Sequence, residues 1–149
     1  MNVRRVAPSE RDAYQRMRLA LWPDCDDSDL DPWFAREDAA TFVAVRPDIS
    51  LCGFVEVGSR PYAEDCESSP VGYIEGWYVD PDERTQGVGR ALLAAAEDWA
   101  RGRGYTEMAS DALLDNEVSH AAHKRCGYVE AARLVTFRKL LRKPLPTLR

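Results

Sequence analysis

Val79-Asp80-Pro81-Asp82-Glu83-Arg84-Thr85-Gln86-Gly87-Val88-Gly89-Arg90-Ala91-Leu92 runs from an apolar strand through an Arg-x-x-Gly-x-Gly turn into an amphipathic helix. The first backbone N–H groups of a helix lack intrahelical acceptors and lie at the positive end of its dipole, so this turn suits a pyrophosphate. Gly87 and Gly89 let the main chain close in, while Val88, Ala91, Leu92, Ala95 and Trp99 recur at helical spacing and bury one face. The same turn can also serve as a plain connector. Its spacing is not Gly-x-Gly-x-x-Gly and no Gly-Lys-Ser/Thr follows, so neither a Rossmann dinucleotide site nor a P-loop fits.

Working outward, residues 2–6 read as a first strand, and Pro8-Ser9-Glu10-Arg11-Asp12 opens a helix with Ser9 as N-cap. Pro23 ends that helix, and the acidic stretch Asp24 to Asp31 leads to a short second helix near Pro32-Trp33-Phe34. Thr41–Arg46 and Leu51–Arg60 form a hairpin, followed by a polar loop from Pro61 to Pro70 and a fourth strand at Val71–Val79. A long helix over Gly87–Arg101, a fifth strand at Thr106–Ala112, a helix at Glu117–Cys126 and a last strand at Val129–Leu140 complete the prediction.

With 149 residues and 45% hydrophobic content, the chain is expected to form a single domain over 1–149. Its 25 acidic and 20 basic residues give a net charge of -5, which argues against nucleic acid or an anionic membrane and favours a cationic partner. No apolar run approaches a membrane span and no signal-type block follows the N-terminus, so a cytoplasmic location is expected. Cys25, Cys52, Cys66 and Cys126 lack Cys-x-x-Cys spacing and read as reduced thiols.

Arg84-x-x-Gly87-x-Gly89 after Trp77-Tyr78-Val79-Asp80-Pro81 resembles the acyl-coenzyme A loop of the GCN5-related N-acetyltransferase (GNAT) superfamily. Asn116, followed by a helix closing in His123-Lys124-Arg125-Cys126-Gly127-Tyr128, is similar to a second segment of that superfamily. The resemblance implies an α/β (α+β) fold, a mixed and mostly antiparallel sheet that splays between strands 4 and 5, with flanking helices. It also implies acetyl-coenzyme A as co-substrate. Pantetheine would pair with Trp77, Tyr78 and Val79, the pyrophosphate would lie on Arg84, Thr85, Gln86, Gly87, Val88, Gly89 and Arg90, and Asn116 would bond the pantetheine arm. Met17-Arg18-Leu19-Ala20-Leu21-Trp22-Pro23, Ser68 to Gly76 and Met108-Ala109-Ser110-Asp111 further resemble the aminoglycoside 6'-N-acetyltransferases. That match implies a cationic antibiotic acetylated on its 6'-amine, and a homodimer through Leu134-Val135-Thr136-Phe137.

A polycationic sugar needs carboxylates and flat rings around a broad cleft. Trp22 with Asp24, Asp26, Asp27, Asp29 and Asp31, and Tyr62 with Glu64, Asp65 and Glu67, supply both, although acidic runs are also solvated loops and Trp22 also suits a core staple. Glu75 is the sharper candidate, because alternation places it with Tyr73 and Trp77 on a central strand, where a carboxylate is costly without a partner or a cleft. Asp111 ends the fifth strand beside the splay; either of the two, directly or through water, can take the amine's proton. By the family match both also bind the substrate amines. A backbone N–H near Tyr78 or Val79 would hold the oxyanion. His123 stands where the superfamily often has the Tyr that protonates the departing thiolate; it is either that acid or a satisfied helix residue beside a water. His120, His123 and Cys126 recur every third residue without a fourth ligand, so no metal is expected. Ala132 replaces an acidic residue common in relatives, which puts one substrate contact in doubt. The remaining alternatives are acetylation of a protein N-terminus, polyamine or other metabolite amine, and a non-catalytic acyl-coenzyme A module.

Overall fold

The computed structural model describes residues 1–142 and 145–147. Five strands form one sheet in the order β1 (Asn2–Arg5), β2 (Ala39–Val45), β3 (Leu51–Arg60), β4 (Val71–Val79) and β5 (Met108–Ser110). Pairing is antiparallel as far as β4 and parallel between β4 and β5. Helices α1 (Arg11–Leu21) and α2 (Leu30–Phe34) precede the hairpin, while α3 (Val88–Gly102) connects β4 to β5 and α4 (Glu117–Arg125) follows. On one face α3 packs Leu92, Leu93 and Ala96 on Val55, Val57 and Ile74; on the other, Tyr14, Met17 and Leu30 pack on Val43, Phe54 and Tyr78.

The start of α1 differs from expectation. Pro8–Glu10 form a 3-10 turn, and Ser9 makes no cap; the Glu10 carboxylate instead accepts the Ala7 N–H at 2.8 Å and pairs with Arg4 at 2.6 Å. Ala7 takes the position before the turn, and Glu10, three residues on, reaches back to its N–H, while Ser9 lies inside the turn. In α3 the buried stripe is Val88, Leu92, Leu93, Ala96 and Ala100, whereas Ala91 is exposed and Ala95 only half-buried. The row at every fourth position therefore faces the sheet, about a fifth of a turn from the expected stripe.

Two features of the sheet position the site. Pairing of β4 with β5 stops at Ile74 opposite Ser110, so from Glu75 to Val79 the outer edge of β4 is unpaired among the described residues. Within β4, Glu56 pairs with Gly76 while the next residue, Val57, pairs with Ile74, which leaves Glu75 bulged and without a partner on β3. The expected strand at Val129–Leu140 is absent: these residues have no regular structure and are exposed, including Val129, Leu134, Val135 and Phe137. A strand needs a neighbour for its N–H and C=O groups, and β5 is only three residues long.

Candidate active site

The donor side is built from main chain. Thr85 and Gly87 both have positive φ, 64° and 85°, which turns the chain sharply into α3. Ala91 N–H is the first to bond back, to the Gly87 carbonyl at 3.0 Å, and the N–H groups of Val88, Gly89 and Arg90 have no acceptor among the described residues. Three donors at the start of a fifteen-residue helix suit an anion. A Cβ at Gly89 would come within 3.1 Å of the Trp77 ring, whose Nε1 donates to the Gly89 carbonyl at 3.1 Å, so loop and strand are locked together.

The side chains of this turn are arranged less directly. Arg84 donates to the Val79 carbonyl at 2.8 Å, Gln86 to the Asp82 carbonyl at 3.2 Å, and Arg90 to the Arg125 carbonyl at 2.7 Å. In the turn before the helix, Arg46 binds Asp80, Asp82 and Glu83, and Arg16 binds Asp80 at 3.1 Å. Burial opposes the charge on Asp80, but the hydrogen bonds from Arg16 and Arg46 outweigh it and hold the carboxyl below the usual carboxylate range.

On the opposite face lies a cavity of about 530 Å³, walled by Trp22, Trp33, Asp29, Arg18, Glu56 and Glu75 among others. Trp22 sits against Gly76, where a Cβ would overlap its ring, and packs on Phe54 with centroids 6.2 Å apart. Arg18 and Glu56 are both buried and paired at 2.8 Å; Arg18 also grips Asp29 with two bonds of 2.9 Å, and Tyr14 donates to Glu56. Burial pushes the Glu56 carboxyl up despite these partners. Burial likewise opposes the Arg18 charge, but Asp29 and Glu56 raise its pKa beyond the ordinary arginine value.

Glu75 reaches this cavity from the face opposite Ile74. It keeps Tyr73 as a same-face neighbour but not Trp77, which packs with Ile74 on the α3 side; the extra residue breaks the alternation assumed from sequence. Both Glu75 oxygens are held by Arg60, at 2.9 and 2.7 Å, and the Arg60 guanidinium lies 3.5 Å from the centre of the Tyr73 ring. Tyr73 in turn donates to Asp111 at 2.7 Å, and burial together with that bond raises its phenol pKa well above the usual range. Glu75 and Asp111 are thereby linked through Tyr73 and Arg60. Tyr62 is exposed and does not line the cavity. Arg60 and Glu56 carried no sequence motif, and their only signal was charge on an otherwise apolar strand; Arg18 lay within the Met17–Pro23 segment but had no role assigned there.

His123 is half-buried on α4, edge-on to Trp77 with centroids 5.1 Å apart. Its Nδ1 lies 2.7 Å from the Ser119 carbonyl, which fixes the proton there, so in the neutral ring Nε2 accepts from the Ser110 hydroxyl at 2.8 Å. Asn116 caps α4 by accepting the Ser119 N–H at 3.1 Å, which leaves its amide donors uncommitted. His120 is bound to the Leu113 carbonyl at 2.9 Å, and among the described residues no three His, Cys, Asp or Glu side chains are grouped to hold a metal. No helix among those residues is long and apolar enough to cross a membrane.

A sheet parted beside a glycine-started helix, with carboxylates across the gap, defines an acyl-transfer architecture, and the model of the acetyltransferase (GNAT) family matches residues 7–128. The chain belongs to that family. Within it, the chain is 46% identical over 146 residues to the aminoglycoside N(6')-acetyltransferase type 1 of Klebsiella aerogenes, covering 93% of this chain and 96% of that one. Among solved structures, the 6'-N-acetyltransferase AAC(6')-IG of Acinetobacter haemolyticus superposes with a TM-score of 0.88 at 35% identity, covering 95% of this chain and 99% of that one. AAC(6')-Iy, solved with the bisubstrate analogue CoA-S-monomethyl-acetylneamine, gives 0.87 at 32% identity, with 93% and 97% covered.

Proposed function

We propose that the protein, as a single acetyltransferase domain over residues 1–149, transfers the acetyl group of acetyl-coenzyme A to the 6'-amine of an aminoglycoside. The observation that carries the reading is the position of Glu75, bulged from β4 where that strand parts from β5, on the wall of a cavity wide enough for a sugar ring. The open β4 edge at Trp77, Tyr78 and Val79 is the place for pantetheine, and the uncommitted N–H groups of Val88, Gly89 and Arg90 are the place for its pyrophosphate.

In this reading the 6'-amine gives a proton to Glu75 or Asp111, directly or through water, and its nitrogen attacks the thioester carbon. A backbone N–H at Tyr78 or Val79 holds the oxyanion; the C–S bond then breaks and the thiolate leaves. His123 or a water beside it supplies the proton; from the imidazolium form of His123 the Nε2 proton passes through the Ser110 hydroxyl, which takes one proton as it gives one to the thiolate. Trp22 offers a flat face to the acceptor, and no metal takes part. The exposed apolar segment 129–141 and the free edge of β5 support a homodimer, in which the partner's segment covers that edge. The four free cysteines and the use of acetyl-coenzyme A fit a cytoplasmic enzyme without nucleic acid or membrane partners.

Thiol release with kanamycin A, followed by NMR of the product, tests the activity. Acetylation at the 6'-nitrogen is expected; acetylation at a ring-II amine, or no turnover, overturns it. Light scattering after gel filtration reads the oligomeric state, and a monomer at micromolar concentration removes the dimer.

A further inference from the structure

We propose that Arg60 is a resident cation of the acceptor site, seated on Glu75 and the Tyr73 ring, and that an incoming ammonium group binds by displacing it. The inference rests on the acetyltransferase reading above and deepens it, since it concerns how that site selects its acceptor.

The geometry around Arg60 is that of an occupied cation subsite. Its fork satisfies both oxygens of Glu75, and its plane lies against an aromatic face that is itself oriented by Asp111. A carboxylate bound in this way has its charge matched and one lone pair of each oxygen taken, so it attracts a substrate ammonium or a proton only weakly while Arg60 is seated. Of the two partners Arg60 is the more movable: its side chain is 42% exposed against 23% for Glu75, and its stem leaves from the last residue of β3. The head can swing into water while the strand stays in place. Until then, the pairing spares the half-buried Glu75 the cost of standing unpartnered.

Exchange makes acceptor affinity a difference. A ligand with one ammonium gains at Glu75 roughly what is lost with Arg60, so it binds weakly. A polycation places further ammonium groups near Asp29 and Asp111, and only that surplus drives binding. Arg60 therefore sets an affinity threshold that a polycation clears and a monoamine does not.

The test compares wild type with Arg60→Gln and Arg60→Lys, using kanamycin A and the monoamine 6-amino-6-deoxyglucose as acceptors. In Arg60→Gln the KM for both acceptors should fall by a similar factor, on the order of fivefold to tenfold, because both displace the same cation; Arg60→Lys should lie between. Calorimetric binding to the coenzyme A complex should move in the same direction. Acceptor affinity that is unchanged or weaker in Arg60→Gln overturns the proposal, as does a fall in kcat at constant KM, which would make Arg60 a positioning residue for Glu75. Wild-type turnover and regiochemistry decide the activity separately, so the two failures are distinguishable.

Discussion

The two sides of the parted sheet solve recognition by different means. On the donor side the groups are main chain: an open strand edge from Glu75 to Val79 and the N–H groups that begin α3, fixed by Gly87 and by the Gly89–Trp77 lock. On the acceptor side they are charged side chains, nearly all already paired: Arg18 with Glu56 and Asp29, Arg60 with Glu75, Tyr73 with Asp111. A backbone site presents its donors at no cost when the ligand arrives, so its sequence is constrained and short. A side-chain site must first give up the pairs it holds, and its selectivity lies in what it gives up.

The comparison is broken most severely at Gly89. Gly89→Asp places a carboxylate about 4 Å from a pyrophosphate site and crowds Trp77; at an effective dielectric near 20 the repulsion is about 4 kcal/mol, roughly a thousandfold in affinity. Calorimetry with acetyl-coenzyme A should show binding lost, while Gly89→Ala isolates the steric part. Unchanged affinity for Gly89→Asp would reduce the turn to a connector.

The acceptor side should fail through stability first. Arg18→Met leaves Glu56 buried beside Tyr14 with no cation, and breaking such a pair costs about 3 kcal/mol or more. Denaturant unfolding should show that loss, and Arg18→Met/Glu56→Gln should recover much of it. If the double variant is no more stable than the single one, the buried charge is not the cause.

Glu75→Gln and Asp111→Asn sharpen the comparison by removing charge at constant shape. Both should raise acceptor KM and leave the affinity for acetyl-coenzyme A unchanged. At least one should lose on the order of a hundredfold in kcat and flatten the acidic limb of its pH profile, the low end of general-base contributions. If both keep wild-type kcat, the amine is deprotonated by solvent before it binds.

How much of this was legible follows the same division. The donor turn is contiguous, so Arg84 to Arg90 could be read as one motif and the helix and strand about it placed within a residue or two. The acceptor side is assembled across distant segments. Glu75 stood out as a carboxylate on a central strand, but its partner Arg60 is fifteen residues away, and the bulge that turns Trp77 to the other face depends on register with β3. Tyr62 has acidic neighbours in sequence but lies exposed in its loop, away from the cavity wall. The final apolar run, Val129–Leu140, has strand composition, but composition does not supply the neighbour that a strand needs.

The smallest expected effect lies where the two sides meet, in the acidic turn that leads to the phosphate loop. Arg46 joins the β2–β3 connection to Asp80, Asp82 and Glu83, offsetting part of the charge of three carboxylates beside an anion site and fixing the turn's position. Because the folded-state pKa of Asp80 is lowered, its contribution to stability is fully present above the unfolded pKa, near 4, and is lost as pH falls through the folded value. Arg46→Gln removes one of the groups that lower it, so the folded pKa rises and acid unfolding begins at a higher pH. The variant should lose about 1 kcal/mol at neutral pH, and its acetyl-coenzyme A affinity should fall a few-fold, more at low salt than at high salt, with acceptor KM unchanged. An equal loss at all ionic strengths would assign Arg46 to the position of the turn alone, because only an electrostatic role is screened by salt.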